Sequence, residues 1–372
     1  MSLRILHLVG SATSDFYCDL SVLYARECID AIADSSQYQF LIAHVSPDKL
    51  WRFPVSLKPE DIAIAQPMPL SAAIQYLTKQ NANQTIDLAI PQMFCLAGMT
   101  DYRTLLTLLN IPYIGNLPAQ MAIAANKAQA KAIVAAAGVN VPYGEVLRAN
   151  ESPTLSPPAI VKPNSADNSL GVTLVHDLKQ YKTALKTAQA ESSEIIVEQY
   201  IPLGREVRCG ILEQGGKLHC LPIQEYAFED KDKPIRTFDN KLVKDKNHQL
   251  DFKAKQVKNH AWIVEKDDPI TPRVWAAAKR CHVALGCRHY SLFDFRVDPQ
   301  GQPWFLEAGL YCSFAPKSVV VMMVEAAGTS LKDFFRQTID DLPLQKNTDP
   351  SSDISRQNFE PFDRQIKPQK TF

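Results

Sequence analysis

The sequence lacks the features that would place it in several large classes of protein. Its 372 residues contain 40 Lys plus Arg and 40 Asp plus Glu, so no excess charge favours nucleic acid or an anionic membrane surface. No apolar run approaches the ~20 residues that span a bilayer, and the first residues form a strand-like run without the anatomy of a signal peptide. We therefore expect a cytoplasmic globular protein with two or three domains.

Metal-binding and redox motifs built from cysteine and histidine are also missing. The eight cysteines form no C-x-x-C pair, and the eight histidines lack the spacing of zinc ligands. The loop after the first predicted strand has one glycine, Gly10, which is too few for a dinucleotide-binding fingerprint. These absences predict reduced thiols and no zinc site.

A hairpin pattern near the C-terminal end is the most informative feature that the sequence does contain. Residues 298–301 (Asp-Pro-Gln-Gly) have the composition of a type I turn between two apolar runs. If the turn pairs its first and last residues, Asp294 lies opposite Phe305, and Glu307 is a diagonal neighbour of Asp294 on the same face. Two exposed acids are the simpler alternative. The apolar neighbours indicate burial instead, and buried acids need a partner, which favours a metal site at Asp294 and Glu307.

Lysines in the middle of the chain allow a phosphate site. Lys162 ends a short apolar strand, and a small-residue loop containing Ser169 follows it. Backbone N–H groups and an ammonium in this arrangement can hold a triphosphate, although an ordinary polar loop fits equally well. The alanine-rich stretch 119–137 predicts one helix with Lys127 and Lys131 on the same face, for which a solvated lysine face is the usual explanation.

The order of the predicted elements indicates an α/β fold, with α+β character in parts. Buried strands are expected at 4–9, 40–45, 87–91 and 111–115, and helices between them. The charged stretch 225–268 predicts either a disordered loop or a functional lid.

Taken in order, these motifs resemble the ATP-grasp ligases, and within them the D-alanine–D-alanine ligase group. The segments that carry the resemblance lie between residues 3 and 340: Ile111–Gly115, Asn126-Lys127, Ala135–Pro142, Ile160–Pro163 with Ser169–Gly171, Val197–Ile201 with Gly204–Glu206, and Leu285–Arg288 ahead of Asp294 and Glu307. The resemblance implies an N-terminal α/β substrate domain over 1–116, a central ATP-grasp subdomain over 117–193 and a C-terminal one with the metal site over 194–340. Residues 341–372 are expected to form a disordered tail.

The same resemblance implies a role for each matching residue. The implied cofactors are ATP and Mg²⁺, because phosphoryl transfer needs mainly positioning and cations from a protein. Nucleotide contacts are implied for Lys127, Lys162, Ser169, Glu198, Tyr200, Ile201, Glu206 and Lys241, and metal contacts for Asp294 and Glu307. The implied catalytic residues are Lys241, Arg288 and Ser169. Substrate contacts are implied for Asp15, Tyr17, Asp19, Ser21, Ser313, Lys317 and Ser318.

Three positions depart from the pattern of the family. Gly309 stands where the family has a metal-binding asparagine, Leu292 where it has an oxyanion-stabilising arginine, and Ser313 where it has a glycine. The missing asparagine removes one ligand for a second metal ion, and the arginine and the glycine are the residues that stabilise the tetrahedral intermediate of acyl transfer. The combination is similar to that of the mycosporine-glycine amine ligases, which phosphorylate the enol oxygen of a cyclohexenone and let an amino group displace the phosphate to give an imine.

The resemblance therefore implies an ATP-dependent ligase that joins serine, threonine or a similar small amino acid to mycosporine-glycine. Two alternatives stay open: a D-alanine–D-alanine-type carboxylate–amine ligase that works through an acyl phosphate, and a nucleotide-binding protein that has lost catalysis. The expected partners are these small molecules, with neither nucleic acid nor membrane, and the resemblance implies a homodimer.

Overall fold

The structure is a computed structural model that describes residues 2–83, 86–166, 169–227, 242–244, 250–252 and 261–342. Lys241, most of the charged stretch 225–268 and nearly all of the predicted tail lie outside the described residues. No helix within the described ranges combines the length and the apolar character needed to cross a membrane.

The N-terminal region alternates strands and helices around a four-stranded sheet. Its elements are β1 (Leu3–Gly10), α1 (Asp15–Ile32), β2 (Tyr38–Val45), β3 (Trp51–Arg52), α2 (Pro59–Ile64), α3 (Leu70–Asn83), β4 (Leu88–Pro91), α4 (Leu96–Met99) and α5 (Asp101–Leu108). The strand order is β3-β2-β1-β4, with β1 parallel to both β2 and β4. The apolar β1 is buried from Ile5 onward, as a central parallel strand should be. The strand predicted at 111–115 is reduced to one bridge between Ala89 and Tyr113.

The central region contains a second four-stranded sheet. Its elements are α6 (Pro118–Ala125), α7 (Lys127–Ala136), β5 (Gly144–Leu147), β6 (Ala159–Pro163), β7 (Thr173–Val175), a short 3₁₀ turn, α8 (Tyr181–Gln189) and β8 (Ile195–Gln199). The strand order is β5-β8-β6-β7, and all neighbours are antiparallel. The single helix predicted over 119–137 is wrong, because Asn126 leaves the helical conformation and caps a new helix.

The C-terminal region forms a larger, antiparallel sheet covered by helices. Its elements are β9 (Arg205–Gln214), β10 (Lys217–Cys220), β11 (Gln224–Tyr226), β12 (Leu242–Lys244), β13 (Leu250–Phe252), β14 (Ala261–Ile263), α9 (Thr271–Ala284), β15 (Tyr290–Val297), β16 (Pro303–Gly309), α10 (Val319–Ala326) and α11 (Leu331–Asp340). The order is β14-β11-β9-β15-β16, with β10 paired to β9. The stretch 225–268 is thus not irregular throughout, since β11 and β14 pair with each other.

The register of the β15–β16 hairpin differs from the predicted one. The turn pairs Asp298 with Gln302 instead of Gly301, because Gly301 takes a positive φ of 75° and lengthens the loop by one residue. A β-bulge then shifts the register after Asp294, so that Asp294 lies directly opposite Glu307 and not opposite Phe305. The two acids share a face, as expected, but as direct partners.

The main hydrophobic core lies between the C-terminal sheet and the helices α6, α7 and α9. Phe293, Phe295 and Phe305 point into this core and are completely buried. Alternation along β15 therefore sends Asp294 to the opposite face of the sheet. Burial of each aromatic ring stabilises the fold by about 1.5–3 kcal/mol, which fixes the strands that carry the acids.

Candidate nucleotide and metal site

Charged side chains line a cleft between the central and the C-terminal sheets, which we call the central cleft. They are Lys127 on α7, Lys162 on β6, Glu198 on β8, Glu206 on β9, Asp294 and Arg296 on β15, and Glu307 on β16. Apolar side chains such as Ile160 and Leu306 line the same space. Apolar walls with a few convergent polar groups are typical of small-molecule sites.

The start of α7 holds Lys127 at the cleft. Asn126 caps the helix with its side-chain oxygen, and the Lys127 N–H donates to the Asn164 carbonyl at the end of β6, at 3.1 Å. The Lys127 ammonium donates to the Ala166 carbonyl and lies 3.8 Å from a Glu307 carboxylate oxygen. The break in the predicted helix therefore ties this lysine to β6 and brings it beside Glu307.

Glu198 lies between two buried ammonium groups. Its carboxylate oxygens are 2.7 Å from Lys162 Nζ and 2.8 Å from Lys131 Nζ. Burial raises the pKa of Glu198, but the two lysines lower it by more, so the net shift is downward. Burial also lowers the pKa of Lys131 to about 8, against the opposing effect of Glu198. The interpretation of a solvated lysine face is wrong, because Lys127 and Lys131 are both buried.

Cross-strand pairs of opposite charge cover the cleft-facing side of the C-terminal sheet. Arg208 on β9 lies opposite Asp294, and its Nε and Nη2 donate to the two carboxylate oxygens. In the adjacent row, Arg296 Nη2 donates to Glu206 at 2.7 Å. Since Glu307 lies opposite Asp294 on the other side, the row Arg208, Asp294, Glu307 crosses three strands. Such pairs stabilise a sheet and compensate buried charge.

Asp294 and Glu307 have the donor chemistry of a magnesium site. No group of three or more His, Cys, Asp or Glu side chains suited to a metal occurs in the ranges that the structure describes. A closed protein cage is thus missing there, but Mg²⁺ commonly takes one or two carboxylates together with phosphate oxygens. The two directly opposed carboxylates fit Mg²⁺ that binds with a phosphate-bearing ligand, and they stay the predicted metal ligands.

The other residues predicted to contact the nucleotide lie in the same cleft. Ser169, Tyr200 and Ile201 line it, so the structure brings together seven of the eight predicted residues, while Lys241 lies outside the described part of the chain. Sequence analysis missed Arg296, whose guanidinium carbon lies 5.7 Å from the centre of the Tyr200 ring and whose Nη1 donates to the Ile201 carbonyl at 3.4 Å. The nucleotide contacts themselves stay predictions.

Arg288 lies away from the central cleft, at the segment that follows α5. Its Nε donates to the Gly115 carbonyl at 2.7 Å and its Nη2 to the Tyr113 carbonyl at 3.4 Å. The guanidinium carbon is 4.9 Å from the centre of the Tyr113 ring. These contacts connect two parts of the fold, and the cleft lining does not include Arg288. A catalytic role for Arg288 gains no support from this position.

The predicted substrate residues fall into two groups. Ser21 Oγ donates to the Gln92 carbonyl at 2.8 Å, and Gln92 Nε2 donates to the Ser313 carbonyl at 2.9 Å, so these three residues join α1 to the loop after β16. In the same loop, Lys317 Nζ lies 3.3 Å from a carboxylate oxygen of Glu27 on α1. The next residue, Ser318, is also a predicted substrate residue, and it is buried. This group lies beside α1, where the N-terminal region meets the C-terminal one.

Asp15 and Asp19 belong to the second group. They line another cleft, between α1 and the loops after β2, together with Arg26, His44 and Arg52. Tyr17 is partly buried against the core of the N-terminal sheet. The structure thus does not bring the predicted substrate residues into one site.

Comparison with known proteins agrees with this architecture. Residues 135–340, more than half of the chain, match the family model described as D-ala D-ala ligase C-terminus. The chain therefore belongs to the D-alanine–D-alanine ligase C-terminal family, and its fold is the ATP-grasp fold of these ligases.

Particular relatives are similar over much of their length. The D-alanine–D-alanine ligase of Synechococcus sp. (strain JA-2-3B'a(2-13)) is 27% identical over 259 residues, which are 67% of this chain and 71% of the relative. The Geobacter sulfurreducens enzyme of the same name is 31% identical over 217 residues, or 55% and 60% of the two chains. The crystal structure of the VanG D-Ala:D-Ser ligase from Enterococcus faecalis aligns with a TM-score of 0.72 at 19% identity, over 91% of this chain and 99% of that one. A Bacillus anthracis D-alanine–D-alanine ligase complexed with ATP aligns with a TM-score of 0.66 at 21% identity, over 91% and 97%. These likenesses confirm the predicted fold.

Proposed function

We propose that the protein is an ATP-dependent ligase that forms a carbon–nitrogen bond, with ATP and Mg²⁺ bound in the central cleft. The observation that carries this proposal is that the predicted nucleotide residues lie together in one cleft. Seven residues from several segments, each assigned to the nucleotide from sequence alone, line one cleft together with the two predicted metal ligands. Membership of a ligase family supports the same conclusion.

In this proposal, different cleft residues bind the phosphates, the adenine and the ribose of ATP. Lys127 and Lys162 place ammonium groups where the phosphates bind, and the strand end at Tyr200 and Ile201 receives the adenine. Glu206 would accept hydrogen bonds from the ribose hydroxyls, and its hydrogen bond from Arg296 at 2.7 Å supports this role by fixing the carboxylate. Mg²⁺ held by the two acids of the β15–β16 hairpin would neutralise the charge that develops on the phosphate oxygens.

The reaction needs two displacements. In the first, an oxygen of the acceptor attacks the terminal phosphorus, an oxygen–phosphorus bond forms, and the bond to the β-phosphate oxygen breaks with its electron pair leaving on ADP. In the second, the neutral amine attacks the carbon that bears the new phosphate, a carbon–nitrogen bond forms, and phosphate leaves with one proton from the nitrogen. The protein positions the partners and supplies cations, and it forms no covalent bond itself.

For the acceptor, we propose the enol oxygen of mycosporine-glycine, with serine, threonine or a similar amino acid as the amine. The support comes from three positions that differ from the family pattern, Leu292, Gly309 and Ser313. Leu292 lies directly opposite Gly309 in the hairpin, so this cross-strand pair has no side-chain donor or ligand. An enol phosphate passes through no acyl tetrahedral centre, and it has no need of the missing groups. The same ligase chemistry on a carboxylate acceptor, with D-alanine as substrate, is the alternative.

Release of ADP by the purified full-length protein tests both the proposed ligase activity and the proposed acceptor. The protein is incubated with ATP and Mg²⁺ and either mycosporine-glycine plus threonine or serine, or D-alanine alone. Release only in the first mixture, with a red shift of the near-ultraviolet absorbance, is the expected result. Release with D-alanine alone would replace the acceptor assignment by the orthodox one, and no release with any pair would contradict the ligase.

A further inference from the structure

Arg208 is a charged residue of the C-terminal sheet to which the proposed function assigns no role. It lies on β9 opposite Asp294, and its side chain is 19% exposed. Nε and Nη2 bind the two oxygens of Asp294. A guanidinium has five N–H donors, and within the described residues the other three bind no protein atom.

Structural stabilisation alone explains this ion pair poorly. A buried pair of this kind roughly balances its cost of desolvation, and an apolar pair of the same size often stabilises a fold as well. On the same strand, Arg205 serves the framework: it binds Glu225 and Asp268, and Asp268 in turn accepts the N–H of residue 270 at the start of α9. Within the part of the chain that the structure describes, Arg208 binds the carboxylate of the predicted metal ligand and, at 5.7 Å, lies over the ring of Tyr226.

The order of charges along the row that faces the central cleft suggests what Arg208 binds. Arg208 shares the face of Asp294 but is not itself among the residues that line the cleft. The row reads Arg208, Asp294, Glu307, and Lys127 lies 3.8 Å from Glu307 at its other end. Two acids suited to a cation are thus flanked by two basic groups suited to anionic oxygens. Lys127 belongs to the side of the central sheet, where the nucleotide residues converge.

Arg208 belongs to the opposite side, toward α1. Its charge is close enough to Tyr24 of α1 to act on the pKa of that phenol, which burial raises overall. The predicted substrate residues around Gln92 and Lys317 also lie beside α1. Arg208 therefore lies at the end of the row nearer the predicted substrate residues, and Lys127 lies at the end nearer the nucleotide residues.

We propose that Arg208 is a catalytic residue whose guanidinium binds the electron-rich acceptor oxygen, and then the same oxygen and its anionic neighbours within the transferred phosphoryl group. This inference rests on the proposed function and names the anion-binding group of its acceptor site. While the acceptor oxygen forms its bond to phosphorus and the bond to the ADP oxygen breaks, negative charge moves across the row, and a fixed cation at its acceptor end stabilises that charge. No proton transfer by Arg208 is involved.

The experiment compares wild type with Arg208→Met and Arg208→Lys, and uses Arg205→Met as the matched control from the same strand. Isothermal titration first measures MgADP binding, and then the binding of inorganic phosphate to the protein saturated with MgADP. We expect phosphate to bind Arg208→Met at least about 10-fold more weakly, with MgADP affinity within about 3-fold of wild type. The Arg205→Met control should bind both as wild type does.

Activity supplies the second readout. We expect kcat to fall by about 10²–10³-fold in Arg208→Met, as on removal of one donor to a reacting oxyanion, and free guanidinium to restore part of it. Arg208→Lys keeps the charge and the fold, and it should lose at least about 10-fold because the paired donors are lost.

Wild-type phosphate affinity in both Arg208 variants would overturn the inference, as would wild-type kcat in Arg208→Lys. Loss of MgADP affinity to the same extent as phosphate affinity would also overturn it, since Arg208 would then serve the nucleotide. If wild type binds MgADP and phosphate but releases no ADP with any acceptor, the proposed function fails, and the phosphate titration still decides the role of Arg208.

Discussion

Replacement of Glu198 by glutamine should destabilise the protein by about 3–5 kcal/mol at pH 7. Glu198 is 2% exposed and is the anion shared by Lys131 and Lys162, at 2.8 and 2.7 Å. At these distances each attraction is about 6 kcal/mol for an effective dielectric constant near 20, and the cost of burying the charges offsets much of it. Glutamine keeps the volume but leaves two buried ammonium groups without an anion, and breaking a buried pair in this way costs about 3–5 kcal/mol.

The pH dependence of this loss identifies its cause. Without Glu198 the pKa of Lys131, which burial already lowers to about 8, falls further, so the native state of the variant loses this proton at a lower pH than wild type does. Stability rises with pH wherever the unfolded state binds more protons. The destabilisation of Glu198→Gln should therefore shrink as the pH rises from 7 through about 8.

Urea denaturation followed by tryptophan fluorescence measures both effects. Lys131→Met is the matched control, since it leaves Glu198 paired with Lys162 and removes an ammonium whose pKa burial already lowers to about 8. It should cost clearly less than Glu198→Gln, and the double variant should be more stable than Glu198→Gln alone. A loss below about 1 kcal/mol in Glu198→Gln, or a loss independent of pH, would refute the reasoning.

Backbone conformation, histidine burial and the metal site give three further tests. Gly10→Ala should lower the free energy of unfolding by at least about 2 kcal/mol more than Gly138→Ala. Both glycines have positive φ, but of the two only a Cβ at Gly10 would meet an atom, the Val45 carbonyl oxygen at 1.9 Å. Equal losses of stability in urea denaturation would contradict this. Burial lowers the pKa of His7 from 6.5 to about 4, so the free energy of unfolding falls as the pH drops from 6.5 toward 4. His7→Gln should reduce the slope of unfolding free energy against pH in this range by up to about 1.4 kcal/mol per pH unit. An unchanged slope would contradict the prediction. Glu307→Ala should abolish ADP release and leave Tm within a few degrees of wild type. The exposed control Glu325→Ala should leave Tm equally unchanged, and activity that survives Glu307→Ala would exclude the metal assignment.

The cleft could be anticipated from the sequence because its residues occur in short motifs at strand ends. Lys162 and Glu198 each belong to an apolar run whose strand character is visible locally, and side-chain alternation then fixes which face they share. Resemblance to a family supplied the order of these motifs, which composition and periodicity alone do not contain. The predicted nucleotide residues that the structure describes line one cleft, and their contacts with a nucleotide stay predictions.

The hairpin register shows what local patterns cannot contain. The turn composition was visible, but the extra loop residue at Gly301 and the bulge at Leu306 depend on how both strands pack against the core. Without the bulge, Asp294 would face Leu306, and Glu307 would point to the other side of the sheet. The direct pairing of the two acids is therefore a tertiary effect.

Lys131 and Arg208 escaped assignment because their partners are distant in sequence. Lys131 forms an ion pair with Glu198, and Arg208 forms one with Asp294, which lies 86 residues further along the chain. One signal was available: Arg208 and Glu206 alternate with the buried apolar residues Val207 and Cys209, which places two charges on one face of a buried sheet. Charged residues in buried strands indicate a site even where their partners cannot be identified.

Transfer of the acceptor oxygen to phosphate is the most direct test of the central claim. Mycosporine-glycine labelled with ¹⁸O at its ring carbonyl is incubated with the protein, ATP, Mg²⁺ and threonine, and the released inorganic phosphate is analysed by mass spectrometry. The account predicts one ¹⁸O atom per phosphate and one ADP per imine formed, because the acceptor oxygen is phosphorylated and then leaves with the phosphate. Unlabelled phosphate beside imine and ADP would contradict activation of the acceptor by phosphoryl transfer.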